Sequence, residues 1–355
     1  MAEAKKRGIL VGLGSWGSWW VDYFVPYAVQ EAKKMELAAI VDVNERALQR
    51  AGEKLGVPAE LRFRDAREAF AATRPDFAIL VVPPTLREQM VDLALEYDCD
   101  ILSEKPLSVS MEGCVRIYNK VRAKGKKLAV TMTHRFEQAQ QSLEREVQSG
   151  KYGQLSSLHV NFSCTNNIET DGTRTWRHDT PHNYVMECAV HQMDNLRSIA
   201  AANCKTIYCK AWTPDWAAQR PSAAISLIAE MENGVVCTFT GTSCSAANLH
   251  YWDDDRMVAE CEKSVLVLDH KVLTGHRALD LRTEAVTPIP LHPQKVWGNR
   301  WLLEQFLDWI SGGEAPATRI EDNLQLMAMV FAAIESIETG REVDVQAFLQ
   351  AHLAE

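Results

Sequence analysis

A chain of 355 residues, 46% hydrophobic and 24% charged, exceeds what one core usually supports and is too apolar for disorder, so two domains are expected. Its formal net charge of -9, with no basic run longer than Lys5-Lys6-Arg7, gives no general attraction to phosphate backbones or anionic lipid. Nucleic-acid and membrane partners are therefore not expected. Nine scattered cysteines, with no C-x-x-C pair and no Cys/His zinc spacing, fit reduced thiols in a cytoplasm.

Met1 to Arg7 has the basic character of a secretion signal, but the apolar stretch behind it is short and runs into glycines, so it reads as a first strand. No apolar run approaches the roughly 20 residues that a membrane helix needs. From Gly8 to about Phe136, β-branched runs (Ile9-Leu13, Leu37-Val41, Phe77-Val82, Asp100-Leu102, Lys127-Thr131) alternate with helical stretches such as Glu45-Leu55, Leu86-Tyr97 and Met111-Ala123. That alternation predicts a doubly wound parallel sheet covered by helices.

Near Gly150-Lys151-Tyr152-Gly153 the pattern changes to runs that read as antiparallel strands: Leu155-Ser163, Thr206-Trp212, Ala223-Met231 and Val235-Thr240. Asn233-Gly234 is a hairpin signal, because both residues tolerate positive φ. Two helices, Arg300-Ile310 and Glu321-Glu338, are separated by Gly312-Gly313 and an apparent capping box from Thr318 to Glu321. The expected architecture is α/β: an N-terminal parallel-sheet domain over 1–133, then an α+β domain over 134–355 with a large, mostly antiparallel open sheet.

Gly12, Gly14 and Gly17 in Gly12-Leu13-Gly14-Ser15-Trp16-Gly17 have the spacing of the Rossmann dinucleotide loop. There the first glycine allows the turn, the second admits the pyrophosphate and the third lets helix and strand pack closely. The loop ends a strand and opens a helix, and a second strand ends in Asp42, which is the context that gives the motif its weight. Asp42 would bind the adenosine ribose and repel a 2′-phosphate, favouring NAD over NADP; otherwise it caps the next helix, with Arg46 near enough to reach a phosphate. Trp16 either covers the nicotinamide or substrate or packs under Trp19 and Trp20. Ser15 and Trp16, with Val82 and Pro83 at the end of a strand run, are assigned to the same cofactor site.

Ser103-Glu104-Lys105-Pro106 follows another strand at its carboxyl end, where open α/β sheets place ligands. An ammonium group there can hold a substrate oxygen and stabilise its developing negative charge; the alternative is a surface Lys105 paired with Glu104. Further on, Glu187, His191 and Asp194 recur at i, i+4 and i+7, within about 60° of one another on a helix, with Met186, Ala189, Val190, Met193 and Leu196 on another side. Imidazole titrates near neutrality, so His191 is the candidate base, and a carboxylate one turn away could orient it, raise its basicity or bind a sugar hydroxyl. A solvated polar stripe is the alternative.

The glycine loop, Glu104-Lys105-Pro106, Gly150-Lys151-Tyr152-Gly153 and Glu187-x-x-x-His191-x-x-Asp194, in that order, resemble the Gfo/Idh/MocA oxidoreductases, the glucose-fructose oxidoreductase and inositol dehydrogenase group. The resemblance extends over nearly the whole chain. It implies that Lys105 contacts both the cofactor ribose and the reacting hydroxyl, with the Lys105-Pro106 peptide often cis, and that Glu104 belongs to the cofactor site. It also implies that His134-Arg135 and Trp176-Arg177-His178 approach nicotinamide or substrate, although a core role explains Trp176 equally well. An Asp is common in the family at the position of Glu187, so the longer side chain leaves its role open; Asp194 is read as structural, accepting a backbone hydrogen bond.

The function expected is NAD-dependent oxidation of a secondary hydroxyl of a sugar, cyclitol or glycoside. A redox-neutral glycosidase or lyase that oxidises the ring transiently uses the same groups. A non-catalytic NAD- or sugar-binding sensor is a third reading, against which the pairing of Lys105 with His191 speaks. His159, His250 and His276 suggest no constellation and no metal site is expected; Asp253-Asp254-Asp255 reads as a solvated turn. The open sheet should need cover, which the family resemblance identifies with a homodimer or homotetramer.

Overall fold

The computed structural model describes residues 5–165, 181–217 and 222–354. They form two compact units, Met1–Met132 with Val296–Leu324, and Thr133–Lys295 with Gln325–Glu355. The sequence reading assigned 296–324 to the second domain. This segment joins the first because the helix Gly298–Ile310 buries Leu302, Leu303, Phe306 and Leu307 there. Phe306 meets Phe77 edge-on with centroids 5.7 Å apart, and Lys34 pairs with Glu304 at 2.9 Å and Asp308 at 2.7 Å.

The first unit is a parallel sheet of β1 (Lys6–Val11), β2 (Met35–Val41), β3 (Arg62–Phe63), β4 (Phe77–Leu80), β5 (Asp100–Ser103) and β6 (Leu128–Val130), in the order β3-β2-β1-β4-β5-β6. Central strands are covered on both faces, which is why Ile9, Leu10, Ile79 and Leu80 form unbroken apolar runs rather than alternating. The order reverses between β1 and β4, the topological switch point at which such sheets bind ligands. Helix Glu45–Leu55 starts at Asn44, whose side chain accepts from the Arg46 and Ala47 amides, so Asn44 and not Asp42 is the cap. Behind the glycine loop, helical winding is α over Gly17–Trp19 and π over Trp20–Phe24 and Tyr27–Glu31. Pro26, which has no amide hydrogen to donate, lies between the two π segments. The capping box at 318–321 does not form: Thr318 Oγ1 is buried without a hydrogen-bond partner among the described residues, and Glu321 instead lies 3.6 Å from Arg319.

Among the described residues of the second unit, nine strands form one sheet: β7 (Leu155–Ser163), β8 (Cys204–Trp212), β9 (Ala224–Met231), β10 (Val236–Thr242), β11 (Arg256–Cys261), β12 (Val265–Asp269), β13 (Val272–Ala278), β14 (Glu284–Ile289) and β15 (Val343–Asp344). Their order is β14-β13-β12-β11-β7-β10-β9-β8-β15, antiparallel throughout except for the parallel pair β7 and β10. Alternation marks two faces: Leu158, Val160, Phe162, Phe239 and Met257 are buried, while Ile228, Thr238 and His159 share the opposite face. The hairpin at Asn233-Gly234 is present, but only Gly234 adopts positive φ, at 83°. The Met231 amide donates to the Val235 carbonyl, enclosing a three-residue loop in which Gly234 takes the left-handed position, rather than a two-residue turn with both centres left-handed.

All nine cysteines are free, eight of them buried. Burial pushes the thiols of Cys99, Cys209 and Cys237 up to about 12. Among the described residues, no helix is long and apolar enough to cross a membrane.

Candidate functional site

The glycine loop divides its three glycines by role. Gly12 leaves β1 with φ of 94°, and a Cβ there would stand 2.1 Å from the Val81 carbonyl oxygen. A Cβ on Gly17 would meet the Gly12 carbonyl oxygen at 2.4 Å, whereas one on Gly14 meets nothing within 4 Å. Two glycines thus serve close packing and the middle one leaves bare backbone facing open space, which fits a bound pyrophosphate. Ser15 is itself left-handed, φ 45°, and its carbonyl accepts from the Ser18 hydroxyl at 2.7 Å. Asp42 braces the loop: Oδ2 accepts from the Leu13 amide at 2.7 Å and Oδ1 from the Asn44 amide at 2.8 Å. Half-buried and held at both oxygens, the carboxylate has a fixed orientation at the end of β2.

Glu104 is buried at the end of β5, and its Oε1 accepts from the indoles of Trp16 at 2.7 Å and Trp20 at 2.9 Å. Trp16 also stacks on Trp19, centroids 5.7 Å apart, so it does pack against its neighbour. Lys105 follows, half-buried, and the Lys105-Pro106 peptide is cis. Sequence reasoning missed Arg87. Buried in helix Pro84–Glu96, it donates to the Val82 carbonyl at 2.6 Å and to the Pro106 carbonyl, tying the loop after β4 to the loop after β5. A charged residue three positions inside a helix that opens with proline was the only signal.

In the second unit the segment carrying Glu187, His191 and Asp194 is not one regular helix. Val185–Ala189 is π-wound and Val190–Ala200 is α, so the stripe expected from 100° per residue breaks between Glu187 and His191. Nor is the polar side solvated, since every residue from Val190 to Ala200 is buried; Glu187 is half-buried. His191 is 5% exposed and stacks on His134 with centroids 4.1 Å apart and planes 12° from parallel. The edge-on ring of Trp252 lies 5.8 Å from His134 and 6.3 Å from His191. Behind the pair, Asp255 Oδ2 is 3.7 Å from His134 Nδ1, while Oδ1 accepts from Gln192 at 2.8 Å. Tyr184, also buried, is no competing base, because burial holds its phenol well above its ordinary value.

Asp255 corrects the reading of 253–255 as a solvated turn. It is 1% exposed, and its neighbours are engaged too, Asp253 by Lys271 at 2.7 Å and Asp254 by His270 at 3.0 Å. Neither it nor Trp252 sits in a sequence pattern that distinguishes a buried from an exposed side chain. Asp194 is 1% exposed and engaged by side chains: Arg135 donates at 3.2 Å and Arg197 Nη1 lies 3.7 Å away. Trp176 and Arg177 fall outside the described residues.

Two family profiles match the chain, one described as oxidoreductase family, NAD-binding Rossmann fold, over residues 6–132, the other as GFO/IDH/MocA C-terminal domain, over 140–267. An uncharacterised protein y4oX of Sinorhizobium fredii is 34% identical over 348 residues, 96% of each chain. Inositol 2-dehydrogenase of Burkholderia cenocepacia is 26% identical over 178 residues, 49% of this chain and 50% of that protein. In fold, the chain matches an oxidoreductase from Agrobacterium radiobacter solved in complex with NAD+, L-tartaric acid and magnesium. That match has a TM-score of 0.80 and 18% identity over 97% of this chain and 99% of the other.

Proposed function

Because the chain belongs to the Gfo/Idh/MocA oxidoreductase family, we propose that it is an NAD-dependent dehydrogenase oxidising a secondary hydroxyl of a sugar, cyclitol or glycoside. The observation that carries this reading is the buried His134 and His191 stack with Asp255 behind it, a protonatable group shielded from water in the unit that does not hold the glycine loop. NAD, when bound, supplies the hydride acceptor. Gly14 would offer the backbone for its pyrophosphate, Ser15, Trp16, Val82, Pro83 and Glu104 would help hold the cofactor, and Asp42 would accept hydrogen bonds from its ribose, which would favour NAD over NADP.

His191 takes the hydroxyl proton on an imidazole nitrogen as the C–H bond breaks, and Lys105 stabilises the charge developing on the same oxygen. Stacking on His134 fixes the plane of the base, and the Asp255 carboxylate stands behind the pair, 3.7 Å from His134 Nδ1. Glu187, with Arg135, Trp176 and Arg177, serves substrate hydroxyls. Purified protein given NAD and a panel of sugars and cyclitols should form ketone and NADH in equal amounts. A glycoside cleaved with no accumulation of NADH would instead mark the redox-neutral chemistry, and no turnover on any member counts against both.

The open face of the second sheet supports assembly. Tyr208, Ile228, Thr238, His159, Val258, Val267 and Thr274 lie side by side across seven strands. Tyr208 is 38% and Ile228 49% exposed, an apolar end to a face whose centre is polar. A homodimer or homotetramer built on it, working in a cytoplasm, completes the proposal. Ile228→Glu should lower the sedimenting mass toward that of one chain without shifting the melting temperature by more than a few degrees; an unchanged mass would exclude this face.

A further inference from the structure

We propose that the second unit carries a divalent metal site of the zinc class at His250, Asp269 and His270, apart from the His134 and His191 pair. Candidate ligand atoms of the three residues lie within 4.8 Å of one another. Asp269 Oδ1 is the point of convergence, 3.9 Å from His250 Nδ1 and 3.9 Å from His270 Nε2. Both His250 Nδ1 and Asp269 Oδ1 are buried atoms without a hydrogen-bond partner among the described residues. Two orphaned polar atoms facing one another are costly unless something bridges them, and a cation satisfies both at once.

The donor set selects the ion. Two imidazoles and one carboxylate suit zinc and its neighbours, whereas magnesium and calcium want oxygen alone. Ligands about 2.0–2.1 Å from a tetrahedral ion stand about 3.3 Å apart, so each 3.9 Å separation to Asp269 Oδ1 must shorten by about 0.6 Å, which small side-chain rotations of His250 and of the exposed His270 supply. The orientation is already set: Asp254 Oδ2 lies 3.0 Å from His270 Nδ1, turning Nε2 toward Asp269 in a carboxylate-histidine-metal arrangement. Arg256, 3.4 Å from Asp269 Oδ2, holds the other carboxylate oxygen and leaves Oδ1 for the ion. Its positive charge opposes the cation, so micromolar rather than tighter binding is expected.

The backbone gives the ligands their places. Asp269 ends β12, and His270 and Lys271 form a two-residue turn into β13 with φ of 47° and 59°. His250 pairs with Ser163 at an isolated bridge. The segment from His250 to Asp255 therefore carries a ligand at one end, and further along it Trp252 and Asp255 beside the histidine pair. An ion bound here would pin the segment that frames the base.

Metal-free full-length protein should bind one equivalent of zinc by isothermal titration, and its melting temperature should rise with zinc. His270→Asn keeps a residue that tolerates the left-handed turn and should weaken binding at least about 100-fold, whereas Asp254→Asn, which removes no ligand, should weaken it about 10–100-fold. Both variants should melt as the wild type does without metal. Cobalt bound in place of zinc should show visible bands without thiolate charge transfer. Equal affinity in wild type and His270→Asn, no binding by the wild type, or a thiolate signature would each overturn the site.

Discussion

His191→Asn is expected to lower kcat/KM for hydroxyl oxidation by about 10²- to 10⁴-fold, the range for losing a positioned acid-base group, with NADH binding unchanged. Asparagine keeps a planar polar group against the His134 ring but accepts no proton at neutral pH. In the wild type the base must be deprotonated before it can act, so activity should rise with pH along an acidic limb. That limb should vanish in the variant. A merely structural role in the stack would behave differently, lowering the melting temperature and leaving the shape of the pH profile intact. Activity within tenfold of wild type, with the acidic limb retained, would sink the assignment of His191 as base.

Much of the first unit was legible because its signals are local. β-branched runs and the glycine spacing each act within a few residues, and the helices Glu45–Leu55 and Met111–Ala123 lie where periodicity put them. What escaped depends on distant partners. Helix Gly298–Ile310 joins the first unit because its apolar stripe meets Phe77, more than two hundred positions earlier in the chain. For Glu187, His191 and Asp194, a period of 3.6 cannot reveal the π winding between the first two or that their surroundings are buried. His134 was assigned to substrate as part of a His-Arg pair, and the structure separates the two: one stacks on His191 and the other is bound to Asp194. Asp253 to Asp255 looked uniform in sequence, yet the three carboxylates meet a lysine, a histidine and a glutamine amide. Only the fold tells them apart.

Gly12→Ala and Gly14→Ala should separate what the glycine loop does for folding from what it does for the cofactor. At Gly12 an added methyl must adopt φ of 94° and enter the space of a backbone carbonyl 2.1 Å away, and neither backbone can yield without breaking the β1 and β4 register. Left-handed backbone costs about 1–2 kcal/mol and the clash adds to it, so a loss of about 3–5 kcal/mol of stability is expected, with NADH binding lost alongside. At Gly14 nothing lies within 4 Å of the added methyl, so thermal unfolding should stay close to that of wild type. Its NADH affinity should nonetheless fall at least about tenfold, because the methyl occupies the side from which the pyrophosphate approaches. Fluorescence titration with NADH, read beside melting curves of the same samples, distinguishes the two effects. Wild-type NADH affinity in Gly14→Ala would remove the pyrophosphate from this loop, and an unchanged melting temperature in Gly12→Ala would contradict the close approach to Val81.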